Sequence, residues 1–265
     1  MRKKIIAGNW KMNFGPVSTS DYFHELLPMI SSNPQIKDKI NGGEISIELY
    51  VPSISLFTAM QSLSNSDVLI KIGAQNISDK LEGAYTGEIS VNMLSEISIK
   101  ASIIGHSERR HIYKETNSEI NKKIITAMSS NLDVIFCIGE TLEERNSGTT
   151  IDIISEQITT GLANVNIDNN FKDLNLIIAY EPVWAIGTGL TASSADAQQI
   201  CQKIRELISD KYGEIIAHNI HILYGGSVKS NNTKDLLSQA DIDGLLIGGA
   251  SLKPDIFFSI IENSL

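Results

Sequence analysis

Three side chains with acid–base or electrostatic capacity stand where short apolar runs end. Lys11 follows Ile5–Trp10, His106 follows Ile103-Ile104-Gly105, and Glu181 follows Leu176-Ile177-Ile178-Ala179-Tyr180, with Pro182 next. A carboxylate can serve as a base, an imidazole as an acid–base group, and an ammonium as an electrostatic anchor for an anion. An apolar surround raises a carboxylate's basicity towards neutral pH, which suits Glu181 as the base. A helix N-cap or a structural ion pair is the plainer use of the same residue. A lone histidine usually satisfies a core or surface position, so the place of His106 at a run's end, ahead of Ser107-Glu108-Arg109-Arg110, is what favours chemistry. Lys11 reads either as a solvated lysine or as a cation facing a substrate anion. His218 and His221 share an HxxH spacing but flank a strand start with no acidic third ligand nearby, so no metal site is expected.

Two further runs end in glycine pairs, Gly225-Gly226-Ser227 and Gly248-Gly249. Glycine lets backbone N–H groups come close to an oxyanion, and Ser227 adds a hydroxyl donor. Ordinary turn chemistry is the alternative for each pair taken alone. The segment Pro182-Val183-Trp184-Ala185-Ile186-Gly187-Thr188-Gly189 sets an indole between a proline and two glycines. Buried, such a loop strands polar backbone; exposed, it wastes the indole; a lid that folds over substrate resolves the conflict. The alternative is a packed connection with Trp184 as a satellite of the core.

The elements that must position these residues are eight apolar runs: Ile5–Trp10, Ile45–Val51, Leu69–Ala74, Ala101–His106, Val134–Ile138, Leu176–Tyr180, Ile220–Tyr224 and Gly244–Ile247. Most are apolar on both faces, as a strand is when helices cover one side and a core the other. Helical patterns lie between them. In the clearest, Ile200, Ile204, Leu207 and Ile208 share one face, and Ser193 and Asp196 upstream have capping-box spacing. Alternating strands and helices imply a parallel sheet with right-handed crossovers. Eight units in 265 residues predict a closed (β/α)₈ barrel occupying residues 1–265 as a single domain. An open doubly wound sheet should carry GxGxxG after its first strand, where this chain has Asn9-Trp10-Lys11-Met12-Asn13. In a parallel barrel the C-terminal strand ends open on one face, so Asn9, Lys11, Gln75, Asn76, His106, Ser107, Glu108, Glu181 and the glycine pairs should converge there. Ser31–Gly43 reads as a surface loop or frayed helix end.

Composition narrows the partners. Apolar residues make up 42% of the chain and the net charge is −9, a balance that supports a sizeable core and disfavours nucleic acid and anionic membrane. An anionic substrate remains compatible, because a local cationic pocket outweighs a screened distant field. Two cysteines, Cys137 and Cys201, without CxxC or CxxH spacing, read as small core residues in a reducing compartment. The first residues offer too short an apolar run for a signal peptide, and no stretch approaches a membrane span, so a cytosolic location is expected.

Taken in order, Gly8-Asn9-Trp10-Lys11-Met12-Asn13, Gly73-Ala74-Gln75-Asn76, Tyr85-Thr86-Gly87-Glu88-Ile89-Ser90, Gly105–Arg110, Cys137–Arg145, Tyr180–Gly189, Tyr224–Ser227 and Asp243–Ser251 make the chain resemble the triosephosphate isomerase family over nearly its whole length. The resemblance implies interconversion of dihydroxyacetone phosphate and D-glyceraldehyde 3-phosphate through an enediolate, without cofactor or metal, with a place in glycolysis and gluconeogenesis. It implies Glu181 as base, His106 as the neutral imidazole that polarises the carbonyl, Lys11 as the stabilising cation, and Asn9 beside them. It assigns Gly187, Ser227, Gly248 and Gly249 to the phosphate grip. Pro182, Val183, Trp184, Ala185, Ile186, Thr188 and Gly189 belong to the lid, with Tyr224 latching it near Ala192, and Ser107, Glu108 and Cys137 support the site. Thr86 would enter the partner's pocket near Lys11 in a homodimer. Leu190 stands where the second lid hinge usually has lysine, Val51-Pro52-Ser53 replaces the usual paired prolines, and Ser31–Gly43 looks longer than usual.

Two alternatives remain at this stage. Another phosphate-gripping barrel, such as a ribulose-phosphate epimerase or an indole-glycerol-phosphate enzyme, would share the glycine pairs but not the set of Lys11, His106 and Glu181. A silent barrel acting as a binding protein should have lost at least one of the three.

Overall fold

In a computed structural model that describes residues 2–167, 176–186 and 192–265, eight parallel strands close into a barrel in sequence order. Strand β1 (Lys4–Asn9) leads through helices α1 (Pro16–Ser31) and α2 (Pro34–Asn41) to β2 (Ile45–Val51). Then come α3 (Leu56–Leu63), β3 (Ile70–Ala74), α4 (Val91–Glu96) and β4 (Ala101–Ile104). They are followed by α5 (Ser107–His111), α6 (Asn117–Ser129), β5 (Asp133–Ile138), α7 (Leu142–Asn146), α8 (Thr150–Gly161) and β6 (Leu176–Tyr180). The chain ends with α9 (Ser194–Tyr212), α10 (Glu214–Asn219), β7 (His221–Tyr224), α11 (Thr233–Leu237), β8 (Gly244–Ile247) and α12 (Pro254–Asn263). Each expected strand is found within two residues at either end, and the barrel, not the open sheet, is the architecture.

The runs are apolar on both faces because each strand serves two cores. Ile5, Ala7, Ile103, Ile135, Cys137, Ile177, Ala179, Leu223 and Leu246 point inward and fill the barrel. Their neighbours, such as Ile6, Ile104, Val134, Phe136, Ile178 and Leu245, point outward into the layer shared with the helices. That alternation is the period of two of a strand, with apolar matter waiting on either side. The pairings are not uniform. Between β1 and β2 the register runs from Lys4 opposite Ile45 to Asn9 opposite Tyr50, whereas β3 and β4 meet only at Ala74 opposite Ser102.

The helical face expected from Ile200, Ile204 and Ile208 is buried, Leu207 lies at its edge, and Ser193 and Asp196 form the capping box that opens α9. Ser31–Gly43 departs from the expected loop: Pro34–Asn41 is a helix, with Asn33 accepting the Ile36 amide and Pro34 in its first turn. Ile36 and Ile40, one turn apart, are buried in the core, and Lys37 and Asn41 tie the helix to Asp67 ahead of β3. Two apolar residues at helical spacing beside an N-cap and an N-terminal proline were enough to form it.

Candidate active site

At the end of β1 the chain must turn sharply. Trp10 is fully buried against Phe14, Tyr22 and Phe23, and its amide donates to the Tyr50 carbonyl at 3.1 Å, while Asn13 Nδ2 donates to the Trp10 carbonyl at 2.6 Å. Lys11, between these fixed points, adopts a left-handed backbone with φ +53°. Asn9 Oδ1 accepts the Lys11 amide at 3.0 Å, and the Lys11 ammonium meets Glu108 Oε1 at 2.7 Å. Asn9 therefore shapes the turn that presents Lys11, and Glu108 aims it.

At the end of β4, Gly105 takes φ +76°, where a Cβ would press on Arg110 and Ile120. This glycine turns the chain so that His106 faces the barrel mouth and caps α5. The Glu108 amide donates to His106 Nδ1 at 3.2 Å, so Nδ1 is an acceptor and the ring hydrogen sits on Nε2. Nε2 lies 3.0 Å from Glu181 Oε1.

Glu181 is reached through a braced backbone. Its amide donates to the Ile138 carbonyl, and the Gly225 amide donates to the Tyr180 carbonyl on its other side. The residue is 2% exposed, and Oε2 accepts the Ser107 amide at 2.9 Å. Burial pushes the carboxyl up and is the largest single influence, but His106, the Ser107 amide and Lys11 together outweigh it. The carboxyl consequently lies below its ordinary value of 4.5. This reverses the expected direction: the surround is less apolar than the strand suggested, because three polar groups from other strand ends reach the same carboxylate. Cys137 lies fully buried beside it; burial first, and the Glu181 charge second, push that thiol well above its ordinary value. Cys201 is also free and buried.

Asn9, Lys11, His106, Glu181, Ile186, Ser227, Gly248 and Gly249 line one cavity of about 270 Å³. The two glycine pairs differ in purpose. A Cβ on Gly225 would come within 2.9 Å of Glu181 Cγ, and one on Gly226 would run into the Tyr224 hydroxyl, so packing demands both glycines. A Cβ on Gly249 would meet nothing, and one on Gly248 only the Lys11 side chain at 3.6 Å. That second pair keeps the cavity floor open to a ligand.

Pro182 leads into a 3₁₀ turn over Val183–Ala185. The Val183 amide donates to the Glu140 carbonyl, Ala185 is buried, and Trp184 Nε1 donates to Glu140 Oε1 at 2.9 Å while the Arg145 guanidinium covers its ring. This half of the loop is thus packed, and Ile186 carries it to the cavity edge. Gly187, Thr188, Gly189 and Leu190 lie outside the described residues. Tyr224 is fully buried; burial pushes its phenol up to about 12, with the Ala192 amide pulling the other way. Thr86 sits in the exposed stretch 81–88, away from the cavity of its own chain. His218 lies in α10 and His221 opens β7, and among the described residues no three metal-ligating side chains gather.

Two residues to which the sequence assigned no role shape the mouth. Glu140, at the end of β5, is fully buried and gathers Tyr180, Trp184 and Arg145; the strand-end rule that marked the others applies to it equally. Gln75, noted only as a strand end, reaches across to the carbonyl of Lys11.

Residues 4–264 match the family model described as triosephosphate isomerase. The chain is similar to the triosephosphate isomerase of Carboxydothermus hydrogenoformans, 46% identical over all of both chains. It is 44% identical to that of Alkaliphilus metalliredigens, over 99% of this chain and 100% of that one. It is 43% identical to that of Mycoplasma capricolum, over 99% of each.

Proposed function

Because the chain belongs to the triosephosphate isomerase family, we infer its chemistry from the residues that meet at the barrel mouth. The protein is an isomerase that interconverts dihydroxyacetone phosphate and D-glyceraldehyde 3-phosphate. The observation that carries the assignment of roles is the approach of His106 Nε2 to Glu181 Oε1 at 3.0 Å in a cavity that Lys11 also lines. Glu181 takes a proton from the carbon next to the carbonyl and returns it to the neighbouring carbon. His106 donates its Nε2 hydrogen to the oxygen, and the Lys11 ammonium offsets the negative charge of the enediolate. Asn9 sets the turn behind Lys11. The phosphate rests on Gly248, Gly249 and Ser227, with Gly187 completing the grip and Pro182–Gly189 forming the lid that excludes water.

The low basicity of the resting carboxylate fits this cycle. Once a substrate oxygen takes the Nε2 hydrogen, Glu181 loses the partner that most lowers its pKa, and burial, which raises it, gains weight. The base strengthens when substrate is there to be deprotonated. Replacement Glu181→Gln should reduce kcat by at least about a thousandfold, the acid–base contribution plus the cost of a misplaced proton. Binding of a phosphorylated two-carbon acid should change little. A coupled assay with glyceraldehyde 3-phosphate measures the first and calorimetry the second; equal losses in both would remove Glu181 from the role of base.

The protein acts as a homodimer in the cytoplasm, built as a single barrel domain over residues 1–265, and serves glycolysis and gluconeogenesis. Support for association comes from the exposed Met12, Tyr85 and Tyr113. A second cavity of about 320 Å³, lined by Lys11, Met12, Gln75, Arg109 and Tyr113, offers a seat for Thr86 of the partner. Among the described residues no helix is long and apolar enough to cross a membrane. The rival readings, another phosphate-binding barrel or a silent one, have no comparable support: the family match spans residues 4–264 and all three reactive side chains are in place.

A further inference from the structure

Lys11 holds a backbone that a residue with a Cβ ordinarily avoids, so something must over-determine it. Both peptide groups flanking its Cα are held by side chains. The amide donates to Asn9 Oδ1 at 3.0 Å, and the carbonyl accepts from Gln75 Nε2 at 2.8 Å. The same Gln75 nitrogen donates to the Tyr50 carbonyl at 3.0 Å. One primary amide therefore joins three neighbouring strand ends: Gln75 after β3, Tyr50 in β2 and Lys11 after β1. The far anchor is itself rigid. The Tyr50 hydroxyl donates to the buried Glu48 Oε2 at 2.7 Å, and its ring occupies the space that a Cβ on Gly73 would need.

We propose that Gln75 is a positioning residue for the isomerisation: its amide locks the Lys11 carbonyl so that Lys11 stays left-handed and its ammonium stays aimed into the cavity of His106 and Glu181, a role that rests on Lys11 being the cation assigned above. The two hydrogens of a primary amide match the two carbonyls that must be held, which neither a carboxylate nor a thioether of the same length can do. Without that bond the Lys11 peptide relaxes towards negative φ and carries the ammonium away from the oxygen it must face. Gln75 does not line the cavity of His106 and Glu181, so its effect on the chemical step runs through Lys11.

A double-mutant cycle tests this, using Gln75→Met and Lys11→Ala in the full-length protein, with kcat/KM, sedimentation and a crystal structure of the single variant as readouts. We expect Gln75→Met to lower kcat/KM at least tenfold at unchanged sedimentation. It should lower kcat/KM by less than twofold more once Lys11 is already alanine, and the crystal structure should show Lys11 at negative φ. Factors that multiply across the cycle, a left-handed Lys11 in the variant, or activity restored simply by concentrating the protein would each overturn the proposal. Should Gln75→Met fail to fold, Gln75→Glu keeps the shape without the donors, and the same expectations and the same refutations apply to it. A fully active Lys11→Ala would instead refute the cationic role of Lys11, and the positioning role with it, a result distinct from multiplying factors on a damaged Lys11→Ala.

Discussion

Glu181 is held by three groups that favour its ionised form, and this has a consequence away from catalysis. A carboxyl whose pKa is lower folded than unfolded contributes stability above its unfolded value, and loses it as pH falls through the folded one. For Glu181 the contribution is complete at neutral pH and disappears on acidification below 4.5. The stability difference between the natural protein and Glu181→Gln, measured by denaturant titration, should therefore shrink as pH is lowered through that range. Identical acid slopes in the two proteins would mean that the carboxyl is not held as described. Lys11, His106 and Glu181 were legible in the sequence because a parallel barrel brings strand ends together whatever their separation along the chain. What could not be read was the sign of the Glu181 shift. It is decided by Ser107, His106 and Lys11, which come from two other strand ends, and a local reading of Leu176–Tyr180 sees only the apolar side of the balance. Glu140 was missed for a different reason: its place after β5 marks it as the other strand ends are marked, but its anchoring role depends on Tyr180, Trp184 and Arg145, which packing brings to it.

At the level of elements, strands were easier to read than helices. A strand buried on both faces leaves a dense apolar run, and β2, β6 and β8 have the expected limits. Short helices leave a thinner trace. In Ser31–Gly43 the serines, asparagines and glycines that bracket α2 read as loop, although Asn33-Pro34 is a start signal and Ile36 and Ile40 share a face. Burial of those two isoleucines, at 1% and 3% exposure, makes α2 part of the fold and not a decoration. Replacement Ile40→Ala should cost about 2–4 kcal/mol of unfolding free energy through lost burial and a residual cavity. Because α2 precedes β2, and no residue of it lines the active cavity, kcat should stay within about twofold of the natural value. A loss of stability under about 0.5 kcal/mol in a chemical denaturation curve would show α2 to be loosely docked.

For the molecule as a whole, the charge of −9 does not keep a cation out of the barrel mouth, where Lys11 shares a cavity with His106, Ser227, Gly248 and Gly249. Composition could exclude nucleic acid as an expected partner but could not show this pocket, because net charge averages over the surface on which the pocket is a small opening. Sedimentation equilibrium at micromolar concentration should give twice the chain mass, and Thr86→Glu, which puts a charge into the seat proposed beside the partner's Lys11, should shift it towards the monomer with a parallel fall in activity. A natural protein that sediments as a fully active monomer would remove the homodimer. The single register pair between β3 and β4 has a consequence of its own. A cylinder gives way first where its staves share the fewest bonds, and protons on the backbone of Ile70–Ala74 and Ala101–Ile104 should trade for deuterium before those of β1 and β2, whose ladder is the most extensive. Thermal wear would then begin a few residues from Gln75 and His106, and the catalyst would fall silent before the rest of the barrel had come apart.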